Sequence, residues 1–186
     1  ERGSYRIDEI ESKTVLHKPS GKRRRLWSTI DKVYHEQHFY SSKPPLFPTL
    51  VAGLYAVTKA VTGWTLLDDT AAVTHLVLLA INWLPWTVAL VVLARMLDRY
   101  ARRRRTRVFL LLTAGAGTLL LPFLVTLNNH TVAATAVVFT VAAALKVLVE
   151  GDHRTRYFLV AGLFAGWTAA NELPAAVLTA DALGPY

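Results

Sequence analysis

Four stretches of this sequence run almost without charge for the length of a bilayer-crossing helix, and no other feature constrains its fold as tightly. A spanning helix needs about 20 consecutive, mostly apolar residues. Thr70 to Leu97 is 28 residues with only His75, Asn82 and Arg95 strongly polar. Val108 to Leu127 is 20 residues with no charge. Thr131 to Val149 is 19 residues with only Lys146, near its end. Tyr157 to Leu183 is 27 residues, interrupted by Asn171-Glu172-Leu173-Pro174. A weaker run, Pro45 to Thr62, carries Pro48, Gly53 and Lys59.

Charge sharpens the division. Residues 1–43 hold 10 of the 21 basic and 6 of the 13 acidic side chains, whereas residues 108–186 hold 3 basic and 4 acidic. A water-soluble nucleic-acid binder would not leave its second half so bare, so the net charge of +8 does not point to nucleic acid. The absence of cysteine excludes disulfides and thiolate chemistry. The chain starts at Glu1, has Met96 as its only methionine and stops just past an apolar run, so it reads as an internal piece of a longer protein.

Short loops rich in Lys and Arg stay on the cytoplasmic side. Arg99, Arg102, Arg103, Arg104, Arg105 and Arg107 crowd the turn after the first strong run, and Arg154 and Arg156 follow the third. Two spans separate these turns, so parity predicts that they share one side. The opposite side then receives Asn128-Asn129-His130 and Glu172, the latter about 24 Å from Arg156 along a helix. Residues 1–43 are predicted to be a polar, loop-rich segment. Ser4-Tyr5-Arg6-Ile7 alternates as a strand does, and Leu26 to Tyr40 has no clean period.

Three constellations can carry chemistry. Lys43 precedes Pro44 and Pro45 at the start of an apolar run, where proline suits a first helical turn. Such a lysine sits at a membrane surface, either snorkelling as an anchor or meeting a lipid phosphate. Asn128-Asn129-His130 opens a helix; asparagine is a good N-cap, and the imidazole adds a titratable ring or a metal ligand. Glu172, between Asn171 and Pro174, is an ionisable group in an apolar run, which is a functional candidate or else a solvated or paired helix-end carboxylate. His35-Glu36-Gln37-His38 lacks the spacing of a helical zinc motif. Arg102 to Arg105 reads as an anchor against anionic lipid. Gly162 and Gly166 have the spacing that lets membrane helices approach closely, and Gly115 and Gly117 are a second small-residue pair.

The segment His38-Phe39-Tyr40-Ser41-Ser42-Lys43-Pro44-Pro45-Leu46-Phe47-Pro48 resembles the lysine-diproline region of the GT-C superfamily of membrane glycosyltransferases, which includes the protein O-mannosyltransferases and the aminoarabinose–lipid A transferases. The run order over roughly residues 26–180 is similar as well. The resemblance implies an all-α integral membrane protein of about four transmembrane helices plus one interfacial helix, 44–63, with a bundle over 70–183. It places residues 1–43 on the outer face as a polar loop segment. It implies transfer of a sugar from a polyprenyl-phosphate donor to an acceptor on the face away from the cytoplasm, in a bacterial inner membrane. The family's catalytic aspartate would precede Glu1. Lys43 would bind the donor phosphate, and Tyr40, Asn128, Asn129, His130 and Glu172 would line the substrate pocket.

Two departures stand out. Relatives carry an acidic residue where this chain has Asn128-Asn129-His130, so the sequence supports no metal site there, although the family leaves a divalent metal open. Many relatives have Thr-Lys-Gly-Pro where this chain has Asn171-Glu172-Leu173-Pro174, which reverses the charge. The expected partners are the bilayer, the lipid-linked donor and an unspecified acceptor, with no nucleic acid. The rival reading from another class is a non-catalytic transporter or scaffold handling a lipid-linked intermediate, with Glu172 in a broken span as its substrate or proton site.

Overall fold

A computed structural model describes residues 5–8, 14–16, 23–25 and 31–172, the second and third of these as backbone. The chain divides into two compact units, residues 1–45 and 46–186.

The first unit is built on two antiparallel hairpins. β1 (Thr14–Leu16) pairs with β2 (Arg23–Arg25), setting Val15 opposite Arg24. β3 (Lys32–His35) pairs with β4 (His38–Ser41), setting Tyr34 opposite Phe39 and His35 opposite His38. To the polar, loop-rich segment expected here the described residues add short strands, and a two-residue turn joins β3 to β4 where periodicity gave no signal. Glu36 and Gln37 both take positive φ, 48° and 65°. That is the backbone a tight hairpin needs to follow strand twist, and it is seldom readable without glycine or asparagine. Arg6 bridges Tyr40 on the free edge of β4, and Ile7 N–H donates to the Phe39 carbonyl at 2.8 Å. Asp8 then accepts from the Phe39 N–H at 2.6 Å and pairs with His38 Nδ1 at 2.8 Å. The backbone hydrogen bond from Phe39 is the main reason that the Asp8 carboxyl lies below its ordinary range.

The second unit is helical. α1 (Leu46–Thr62) ends at Gly63, whose φ of +76° favours glycine. α2 is a continuous rod, Thr70–Tyr100, with a π-helical turn at Leu79–Trp83. Pro85 explains that turn: it offers no N–H and crowds the carbonyl four residues back, so the helix widens just ahead of it. α3 (Arg104–Ala116) and the short α4 (Leu120–Phe123) follow, then α5 (Asn129–Leu148) and α6 (Thr155–Asn171). Trp86 and Ala89 of α2 pack on Leu124, with Phe139 of α5 beside them. α5 lies along α6 through a stripe of buried small residues, among them Ala133, Ala136, Thr140 and Ala143.

α2 and α5 are long and apolar enough to cross a membrane, at 31 and 20 residues. In their most apolar windows only 22% and 44% of the residues are buried within the protein, unlike the core helix of a soluble domain. Leu79, Leu84 and Val91 of α2, and Phe158, Leu159 and Leu163 of α6, are exposed.

Among the described residues two helices, not four, are long and apolar enough to cross a membrane. The run Val108 to Leu127 breaks at Gly117, whose N–H closes the end of α3 on the Thr113 carbonyl at 2.9 Å. A Cβ there would stand 3.0 Å from that same oxygen, a tight contact. The run Tyr157 to Leu183 is helical to Asn171 in α6, and its continuation through Pro174 to Leu183 lies outside the described residues, as do Ser4, Lys22 and Leu26. Among the described residues no other element comes within 4 Å of a Cβ built on Gly162 or Gly166, and α6 meets the bundle through Ala161 and Thr168.

Candidate functional site at the asparagine-rich end

Asn128 stops one chain direction and starts another. Its extended backbone and side chain cap α5: Oδ1 accepts from the Thr131 N–H at 3.0 Å and from the Thr131 hydroxyl at 3.0 Å. Its amide Nδ2 donates back to the Phe123 carbonyl at 3.0 Å and the Thr126 hydroxyl at 2.8 Å. One side chain thus ties the loop after α4 to the first turn of α5.

The antiparallel packing of α5 on α6 brings the first turn of one beside the last turn of the other. Asn129 Nδ2 donates to the Asn171 carbonyl at 2.6 Å and to Glu172 Oε2 at 2.9 Å. His130 Nδ1 meets the same carboxylate oxygen at 2.6 Å. An ionised carboxylate only accepts, so Nδ1 carries the hydrogen and Nε2 is the free lone pair of the neutral ring. No partner of Nε2 occurs among the described residues, and the imidazole is 53% exposed while the Glu172 side chain is 23% exposed. A carboxylate near the N-terminus of α5 also gains from the aligned peptide dipoles. The arrangement is an imidazole oriented by a carboxylate with its second nitrogen open, a geometry suited to binding a hydroxyl or taking its proton.

Two buried asparagines support this corner, and sequence reasoning gave neither a role. Asn82, in the π turn of α2, donates through Nδ2 to the Leu124 carbonyl at 3.0 Å and the Thr126 carbonyl at 2.8 Å. It fastens the loop that Asn128 also grips. Asn171 donates to the Trp167 carbonyl at 2.8 Å. Both are fully buried, and the Oδ1 of each has no hydrogen-bond partner among the described residues. The signal available for Asn82 was a polar residue in an apolar run three positions before a proline.

The helical unit also holds an apolar groove of about 390 Å³. Leu50 and Leu54 of α1, Ile81 and Pro85 of α2, Val132 of α5 and Trp167 of α6 line it. Asn129, His130 and Glu172 are not among its lining residues; the link to the polar corner is Trp167, whose carbonyl accepts from Asn171 at 2.8 Å.

Of the residues singled out from sequence, Asn128, Asn129, His130 and Glu172 come together. Lys43 and Tyr40 belong to the first unit, where Lys43 Nζ lies 3.5 Å from Asp31 and Tyr40 pairs across the hairpin with Val33. His35 lies 3.6 Å from Glu36 beside the β3–β4 turn. No group of three His, Asp or Glu side chains able to hold a metal occurs among the described residues. Comparison with protein-family models, curated proteins and solved structures finds no match.

Proposed function

We propose that this chain belongs to a membrane glycosyltransferase of the GT-C type, which moves a sugar from a polyprenyl-phosphate donor to an acceptor at the non-cytoplasmic face. One observation carries the reading: the same helical unit holds a hydrogen-bonding corner of amide, imidazole and carboxylate and an apolar groove, linked through Asn171 and Trp167. A lipid-linked sugar is divided the same way, into a hydroxyl-rich head and a hydrocarbon tail. In this reading α2 and α5 cross the bilayer, and α3 with α4 and then α6 complete four crossings. α1 lies in the interface.

In the transfer, an acceptor oxygen attacks the anomeric carbon, the bond from that carbon to the phosphate oxygen breaks, and the phosphate leaves with the electron pair. Lys43 stabilises the charge that develops on the phosphate. Its contact with Asp31 is an exposed pair, 3.5 Å apart with the lysine side chain 57% exposed, and such pairs contribute about 0–1 kcal/mol, so a phosphate competes for the lysine easily. Asn129, His130 and Glu172 hold sugar or acceptor hydroxyls, and Asn128 fixes the turn that presents them.

The test is sugar transfer by the full natural-length protein in membranes, with polyprenyl-phosphate sugars as donors. Lys43→Ala is expected to lower turnover by roughly a hundredfold, the order seen when one donor to a developing negative charge is removed. Unchanged turnover removes the phosphate role. Movement of the intact donor across vesicles without transfer would favour transport instead.

A further inference from the structure

The opposite end of the helical unit holds a second pocket, and its chemistry is different. It has a volume of about 440 Å³. Its rim is set by Arg95 and Arg99 of α2, Lys146 of α5, Arg156 of α6 and Glu150 of the α5–α6 turn, and its floor includes Met96, Phe139 and Val160.

Glu150 organises the rim. Its Oε1 accepts from Arg99 Nε at 2.6 Å and from the Tyr100 hydroxyl at 2.9 Å, and its Oε2 pairs with Lys146 at 3.0 Å. Burial pulls the Glu150 carboxyl up, but the bonds from Lys146 and Tyr100 and the charge of Arg99 outweigh it and hold the carboxyl below its ordinary range. One negative charge therefore faces four positive ones. Arg156 rests on the Tyr157 ring at 4.8 Å and donates to its hydroxyl at 3.0 Å, neither of which neutralises it. Arg95 has no polar partner among the described residues. It stands more than a turn inside α2, where an unmatched guanidinium is costly if the helix is in lipid.

From this we infer that the pocket binds an anionic phospholipid, with the phosphate between Arg95 and Arg156 and the first part of an acyl chain along Met96, Phe139 and Val160. The excess positive charge selects the head, and the apolar floor selects a lipid over a free anion. Basic pockets between membrane helices hold acidic lipid head groups for this reason. The inference needs α2 and α5 to be in a membrane; it does not rest on sugar transfer.

The experiment uses the full natural-length protein in detergent, with native mass spectrometry of added phosphatidylglycerol, phosphatidylcholine and inorganic phosphate. Phosphatidylglycerol is expected to be retained over phosphatidylcholine. Arg95→Ala is expected to weaken its binding roughly fivefold, and Arg95→Ala with Arg156→Ala roughly thirtyfold, from the contribution of each basic side chain to acidic-lipid attraction. Arg95→Lys with Arg156→Lys, which keeps the charge, should retain most of the binding. Lys32→Ala with Lys59→Ala, an outer pair absent from the pocket lining, should change it little. The inference is overturned if the two lipids bind equally, if inorganic phosphate displaces phosphatidylglycerol at equal concentration, or if the outer pair matters as much as the inner pair. Should the double alanine variant not fold, the single Arg95→Ala and the lysine pair decide the matter.

Discussion

Each end of the helical unit is organised by one carboxylate, and the two carboxylates are held by different partners. Glu172 is gripped by an amide and an imidazole, Asn129 and His130. Glu150 is gripped by Arg99, Tyr100 and Lys146, with Arg95 and Arg156 nearby. At the first end the donors carry little formal charge, and the recognition they offer is hydrogen bonding to neutral, hydroxylated groups. At the second end the cations outnumber the acid, and the surplus asks for an anion. The same bundle thus presents a hydrogen-bonding corner and an electrostatic pocket, each beside apolar walls.

The two ends should respond differently to perturbation. The largest stability effect belongs to Asn82→Leu, which strips the Leu124 and Thr126 carbonyls of their shared donor in a fully buried position. A loss of about 1–3 kcal/mol is expected, read as a lower unfolding midpoint in detergent, and added salt should not restore it. Asn128→Ala removes the cap of α5 and should cost about 1 kcal/mol by the same measurement, again independent of salt. A strong rescue of either variant by salt would break the comparison, since it would make the asparagine-rich end electrostatic.

The smallest effect belongs to the α5–α6 turn at the basic end. Hydrogen bonds from Arg154 are the main cause that holds the Asp152 carboxyl at about 2, below its ordinary 3.8. The folded pKa is depressed, so the ion pair stabilises the fold above about pH 4, and that stability is lost as pH falls from about 4 through 2. Asp152→Asn should be less stable than the parent at neutral pH, with the gap closing across that window. A gap that persists at pH 2 would mean that the turn is held by something other than this pair.

Parts of this arrangement were legible in the chain. The two arginine-bearing turns were expected to share a side, and the contacts of Arg99 and Tyr100 with Glu150 do join them. The break of the second apolar run was weakly signalled: Gly117 is a poor helix former and a common helix terminator, but Gly115 two residues earlier stays helical, so composition alone did not say which glycine ends α3. The glycine pair on α6 misled for a related reason: spacing says which residues share a face, not which face meets a neighbour. The β3–β4 hairpin was hidden because Glu36 and Gln37 give no turn signal, and their positive φ is imposed by strand pairing.

What the sequence determined by itself was where apolar runs begin and end, where cations collect, and that Asn128 can open a helix, since hydropathy, charge and capping act over a few neighbouring residues. Tertiary packing alone decided that Glu172 meets His130 across 42 residues of chain, that Asn82 pins the loop before α5, and that Arg95 lines a cavity in which Glu150 is bound by other cations. Those outcomes depend on which helix faces touch, and the touching is set by the summed fit of small side chains along α5 and α6, which no local window contains.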